Sequence, residues 1–138
     1  MDPDNPVVKR CLEGMKAEME GRTDQAGILF LQAWGQRQDD YDACLAAHYV
    51  ARHQKIPEQV FHWNQESLDR ADAVNDERVQ AFYPSLYLNM GKAHEDLGNR
   101  ERAKRYYELA ATKMSRLPEG RYRDVVQDGI KQGLQRVS

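Results

Sequence analysis

Strand-forming residues are scarce in this chain of 138 residues: valine, isoleucine and threonine give way to alanine, leucine, glutamate, glutamine, arginine and lysine. That balance argues against a sheet and for helix. A dominant charge is also missing. Twenty basic side chains face 22 acidic ones, for a net charge of −2 with both signs interspersed, so no strong electrostatic pull toward nucleic acid or a membrane surface is expected. There is no long apolar run. The most apolar stretch, residues 27–34, is interrupted by Gln32 and is far too short to span a bilayer. The opening MDPDNP is acidic and has no apolar segment, unlike a signal peptide. Only two cysteines occur, Cys11 and Cys44, which suits a reducing compartment better than a disulfide framework. These absences lead to the expectation of a cytoplasmic protein with no membrane association.

What is present is helical punctuation. By length the chain is one domain, able to bury roughly 68–70% of its unfolded surface. Asn5 caps a first helix with Pro6 in its first turn, ending near Gly21. Thr23 is expected to cap a second, to about residue 37, with Ala26, Leu29, Phe30, Ala33 and Trp34 facing inward. Asp39 and Asp40 open a third, over residues 41–54, and Pro57 starts a fourth. Asn75 or Asp76 caps a fifth. Val79, Phe82, Leu86, Met90 and Ala93 keep one stripe, so the spacing predicts a continuous helix over 77–97, kinked at Pro84. Gly98 and Asn99 turn into a sixth helix reaching about residue 116. A seventh spans 121–137, with Tyr122, Val126, Ile130, Leu134 and Val137 on one face.

An internal repeat organises these helices. Gly91 is followed at fixed intervals by Gly98, Ala103, Tyr107 and Ala110, and Gly14 at the same intervals by Gly21, Ala26, Phe30 and Ala33. The middle copy keeps only Ala47 and Trp63. Tyr87-x2-Met90-Gly91-x2-His94, then Ala103-x3-Tyr107, resembles the tetratricopeptide repeat (TPR), a helix–turn–helix unit of about 34 residues. The resemblance covers residues 7–117. It implies an all-α fold: an α-solenoid of three TPR-like antiparallel helix hairpins, over residues 7–40, 41–83 (degenerate) and 84–117, with a capping helix over 121–137 in a single domain. Cys11 and Cys44 then sit at matching places on stacked helices, with backbones about 8–10 Å apart. That exceeds the ~7 Å a disulfide spans, so both are expected as free thiols.

The resemblance further implies a non-catalytic protein–protein interaction module that binds a peptide or helix in a concave groove. Helical spacing offers Met15, Met19, His48, Arg52, Leu88, Asn89, Lys92 and Asp96 as groove residues. Lys92, Asn89, Arg52 and His48 suit a carboxylate or backbone, and Met15, Met19 and Leu88 an apolar side chain. Cys11 and Met15 stand where the chaperone-binding carboxylate clamp requires lysine and asparagine, which argues against that specialisation. The alternatives are a homodimeric scaffold, using an end face or the tyrosines Tyr83, Tyr87, Tyr106 and Tyr107, and an enzyme or metal site built on Cys44 and His48. The last pair shares a helix face, but His53 points elsewhere on that helix and His62 lies on the next. No nucleotide-loop, nucleophile-elbow or zinc-protease motif accompanies them. The expectation is therefore no catalytic residue, no metal and no cofactor. The basic residues between Arg100 and Arg123 alternate with Glu101, Glu108, Glu119 and Asp124, a solvated face rather than a nucleic-acid interface.

Overall fold

In a computed structural model the described residues, 2–138, form an all-α fold of eight helices and one 3₁₀ turn. The helices are α1 (Pro6–Met19), α2 (Thr23–Gly35), α3 (Asp40–Ala51), α4 (Pro57–Val74), α5 (Glu77–Gln80), α6 (Tyr83–Asp96), α7 (Arg100–Thr112) and α8 (Arg121–Val137). The 3₁₀ turn covers Met114–Arg116. The pairs α1–α2, α3–α4 and α6–α7 each pack as a hairpin, the arrangement of a helical-repeat architecture. The chain divides into two compact units, one ending at Val74 and the other Asn75–Ser138.

Within the first unit, α3 packs on both helices of the α1–α2 hairpin. Within the second, α8 packs in the same way on α6 and α7. The turns of the two hairpins are copies of each other. Gly21 and Gly98 adopt positive φ, +77° and +84°, a conformation that glycine takes without the Cβ strain most other residues meet. The next N–H, of Arg22 or Asn99, donates to the carbonyl of Ala17 or His94 at 2.8 Å in both.

The small–aromatic pairs of the repeat explain how the helices approach. A Cβ added to Gly91 would lie 2.6 Å from Tyr107 Cε1, and one added to Gly14 would meet the Phe30 ring more closely still. Each glycine is therefore the seat of an aromatic ring from the partner helix of its hairpin, Phe30 of α2 or Tyr107 of α7. Gly133 of α8 abuts the same Tyr107 ring, with only 2.5 Å between an added Cβ and Cζ. The glycines beside the α8 stripe thus pack on the hairpin. The middle hairpin replaces the glycine with Ala47, and its aromatic Trp63 is only half-buried. There, close approach is made instead by Ser67, whose hydroxyl donates to the Cys44 carbonyl at 2.8 Å.

Two local expectations are corrected. The segment over 77–97 is not one kinked helix: α5 stops at Gln80 and α6 starts at Tyr83. Pro84 has no N–H to offer Gln80, and its ring would collide with that carbonyl. It sits in the first turn of α6 instead, where neither matters. The apolar stripe survives the break, since Val79, Leu86, Met90 and Ala93 are all buried. Thr23 is the first residue of α2 rather than its cap, and Arg22 holds the cap position without a side-chain hydrogen bond. Asn5 caps α1 as expected, accepting from Val7 and Val8, and Asp76 accepts from Arg78 at the start of α5.

Candidate interaction surfaces

The side chains expected in a groove fall into both units. In the first, Met19 stands almost free, 88% exposed. Met15 is half-buried against the cluster of Ala17, Ala26, Leu29, Phe30 and Val50. Arg52 pairs with Glu18 and lies 4.8 Å over the Tyr49 ring. Glu18 also holds His53 Nε2 at 2.8 Å. Met15, Glu18 and Arg52 therefore belong to one polar-rimmed patch where α1 meets α3.

His48 is different. Its ring is half-buried against Tyr49, and its Nδ1 is shielded from solvent without a hydrogen-bond partner. Burial, reinforced by the Arg52 charge, pushes its pKa down to about 4. A neutral imidazole of this kind does not hold a carboxylate by charge.

In the second unit Lys92 and Asp96 are exposed but bind each other at 3.0 Å, one helical turn apart. Asn89 is half-buried on the same helix. Leu88 is not available: it packs against the clusters built by α7 and α8, facing Gly129. Ser85 and Glu95, on the same side of α6, are likewise engaged by α8, through the hydroxyl of Tyr122 and the guanidinium of Arg136. The surface that Leu88 faces is occupied by α8.

The Glu95–Arg136 contact has a counterpart that sequence spacing did not reveal. Glu18 and Glu95 both stand four residues after the seat glycine, and each bonds an arginine from the helix packed on its hairpin, Arg52 at the C-terminal cap of α3 or Arg136 of α8. Tyr107 donates its hydroxyl to Glu95 at 2.7 Å. Phe30 has no hydroxyl, and His53 fills the equivalent role on Glu18. Arg136 holds the Glu95 carboxyl below the usual carboxylate range. The clasp was missed because the linker before α8 is longer than that before α3, so no constant spacing joins glutamate to arginine.

Aligning α8 to α3 through these arginines also separates their flanks. Ala43, Ala47 and Ala51 of α3 are buried, and the small side chains let α4 lie against that helix. The matching positions of α8 carry Gln127, Lys131 and Gln135, all exposed. The flank of α8 is thus built for water, as in a capping helix. An open groove of about 590 Å³ runs beside it, with Met114, Ile130 and Leu134 below those polar side chains.

The Cys44 thiol lies 3.6 Å from Ser67 Oγ, and burial pushes its pKa up to about 11. Cys11, buried beside Asp42, is pushed up to about 12. Both cysteines are free and buried, with the thiolate, the nucleophilic form, disfavoured. Among the described residues no group of three or more His, Cys, Asp or Glu side chains is arranged to hold a metal ion, and no helix is long and apolar enough to cross a membrane. The tyrosines form a ring ladder inside the second unit, Tyr83 on Tyr87, Tyr87 on Tyr106 and Tyr106 on His94.

No protein-family model, curated protein or solved structure matches the chain.

Proposed function

We propose that this protein is a non-catalytic interaction module of the TPR type, working in the cytoplasm, that binds a peptide or helix of another protein. The observation that carries this reading is the recurrence of a helix hairpin with a further helix packed on it, with the same glycine seat, the same turn and the same Glu–Arg clasp in both halves of the chain. Such architecture uses its conserved geometry to present helix faces rather than to assemble reactive groups. The buried, protonated thiols add support, since neither is poised as a nucleophile. Met19 offers an adaptable apolar contact, and Asn89, Lys92 and Asp96 offer polar ones.

Affinity capture from a cytoplasmic extract, comparing wild type with Met19→Glu and Lys92→Glu, tests the reading. Both side chains are exposed and outside the core, so the fold is preserved. Loss of a bound protein in either variant supports the reading for the unit that carries the substitution, and full retention by both refutes it.

A further inference from the structure

The same receiving surface is filled twice in this chain, and the two occupants are held differently. In each unit a hairpin with a seat glycine receives one further helix, α3 on α1–α2 and α8 on α6–α7. The first occupant is gripped on a second side, because α4 lies along its Ala43, Ala47 and Ala51 flank. The second lacks that cover: Gln127, Lys131 and Gln135 of the matching flank are exposed. It also begins without a side-chain cap, after Gly120 at φ +148°.

We infer, resting on the reading of this protein as a helix-binding module, that α8 is a resident ligand on the α6–α7 face. The partner of that face is then a helix of another protein that bears α8's own pattern and takes its place. What the face selects can be read from the helix it already holds. A Cβ added at Gly133 would lie 2.5 Å from Tyr107 Cζ, and one added at Gly129 would lie 3.1 Å from Leu88 Cδ2. The first seat therefore admits glycine alone, and the second glycine or, with a slight shift of Leu88, alanine. Val126, Ile130 and Val137 supply the buried apolar stripe. Arg136, three residues after Gly133, meets the Glu95 carboxylate with two hydrogen bonds, of 2.8 and 3.1 Å, so the face selects a bidentate cation there. Direction is fixed by Arg100 at the start of α7, which donates to the carbonyls of Val137 and Ser138 at 3.0 and 2.7 Å. A cation favours the carbonyl end of a helix. The partner helix thus carries two small residues four apart, arginine three further on, and its C-terminal end at Arg100. While α8 is seated the face is closed, and the partner's apparent affinity is lowered by the fraction of molecules in which α8 is released.

A fluorescently labelled peptide of residues 121–138, added to the full chain and followed by anisotropy, tests this. In the chain, Arg136→Gln unfastens the resident helix and leaves Glu95 to the arginine of the peptide. The Arg136 side chain is 44% exposed, so the hairpin beneath keeps its packing. The expected result is binding to wild type that tightens about 2–5-fold in the variant and is lost when the peptide carries Gly133→Leu. A lock supplies the converse. An added Cβ at Gly129 lies 3.1–3.9 Å from the Leu88 side chain, which brings Leu88→Cys/Gly129→Cys within bridging reach; oxidation should abolish peptide binding and reduction restore it. In wild type alone, hydrogen exchange should release the amides of α8 before those of α7 and α3. No binding to the Arg136→Gln chain overturns the inference. So does binding that survives the lock, or exchange in α8 as slow as in α7. The capture experiment alters Met19 and Lys92 instead, so a protein that captures a partner there and fails here loses only the resident-ligand inference.

Discussion

Alanine at the seat glycines should lower stability even though alanine is the better helix former. All helical Gly→Ala changes gain up to about 1 kcal/mol of helix propensity. At Gly91 the new Cβ would sit 2.6 Å from Tyr107 Cε1, whereas carbon atoms settle at about 3.5–4.0 Å. Ring or helix must therefore move by about 1 Å. The ring has little freedom: Tyr107 is fully buried, its hydroxyl is bonded to Glu95, and Gly133 presses on it from α8. Overpacking of this kind costs ~1–3 kcal/mol. Taken at the upper end of that range, the net loss for Gly91→Ala is about 1–2 kcal/mol, or roughly 3–8 °C in Tm. Gly14→Ala and Gly133→Ala meet the same obstacle from Phe30 and Tyr107 and should behave alike. Gly35 is the control, because an added Cβ there meets nothing within 4 Å; Gly35→Ala should be neutral or stabilising by up to ~1 kcal/mol. Thermal and urea denaturation followed by circular dichroism reads all four, at a protein concentration low enough to exclude association. A Gly91→Ala protein as stable as Gly35→Ala would refute the idea that ring seating, rather than propensity, fixes these positions.

The remaining predictions concern buried titrating groups. His48 takes a proton near pH 6.5 in the unfolded chain but only at about 4 when folded. The unfolded state then binds the extra proton between those values, so this contribution is fully present above pH 6.5 and is lost as pH falls toward 4. Its slope is at most ~1.4 kcal/mol per pH unit. Urea midpoints at pH 7 and pH 5 should differ less in His48→Gln than in wild type, and an equal difference in both would rule out His48 as the source. An aromatic disulfide reagent at pH 8 should label Cys11 and Cys44 slowly in the native protein and both rapidly in denaturing urea. Rapid native labelling of Cys44 would contradict its burial against Ser67.

Several elements could be read from the residues alone, because their causes are local. Asn5 before Pro6, Asp76 before α5 and glycine at 21 and 98 each act within one or two turns of chain. The equal spacing from seat glycine to aromatic ring was also legible, since a hairpin returns the chain at a fixed number of residues. Pro84 was read correctly as an obstacle but given the wrong outcome. Continuity of the stripe suggested a kink, whereas the Gln80 carbonyl could be relieved by ending one short helix and starting another. Of the candidate groove residues, Met19 stands exposed, Leu88 is covered by α8 and the His48 Nδ1 is shielded.

What the residues determined by themselves is helix, hairpin and repeat, through side-chain size at short range. Only the tertiary structure decided which helix faces stay open. The longer linker before α8 places Arg136 on Glu95 and Gly129 on Leu88, and no periodicity announces contacts that depend on where a loop delivers its helix. The same holds for the outer face of α2: the spacing leaves Ile28 and Leu31 off the inward stripe, but only the packing of α1 and α3 on the other faces leaves them in water.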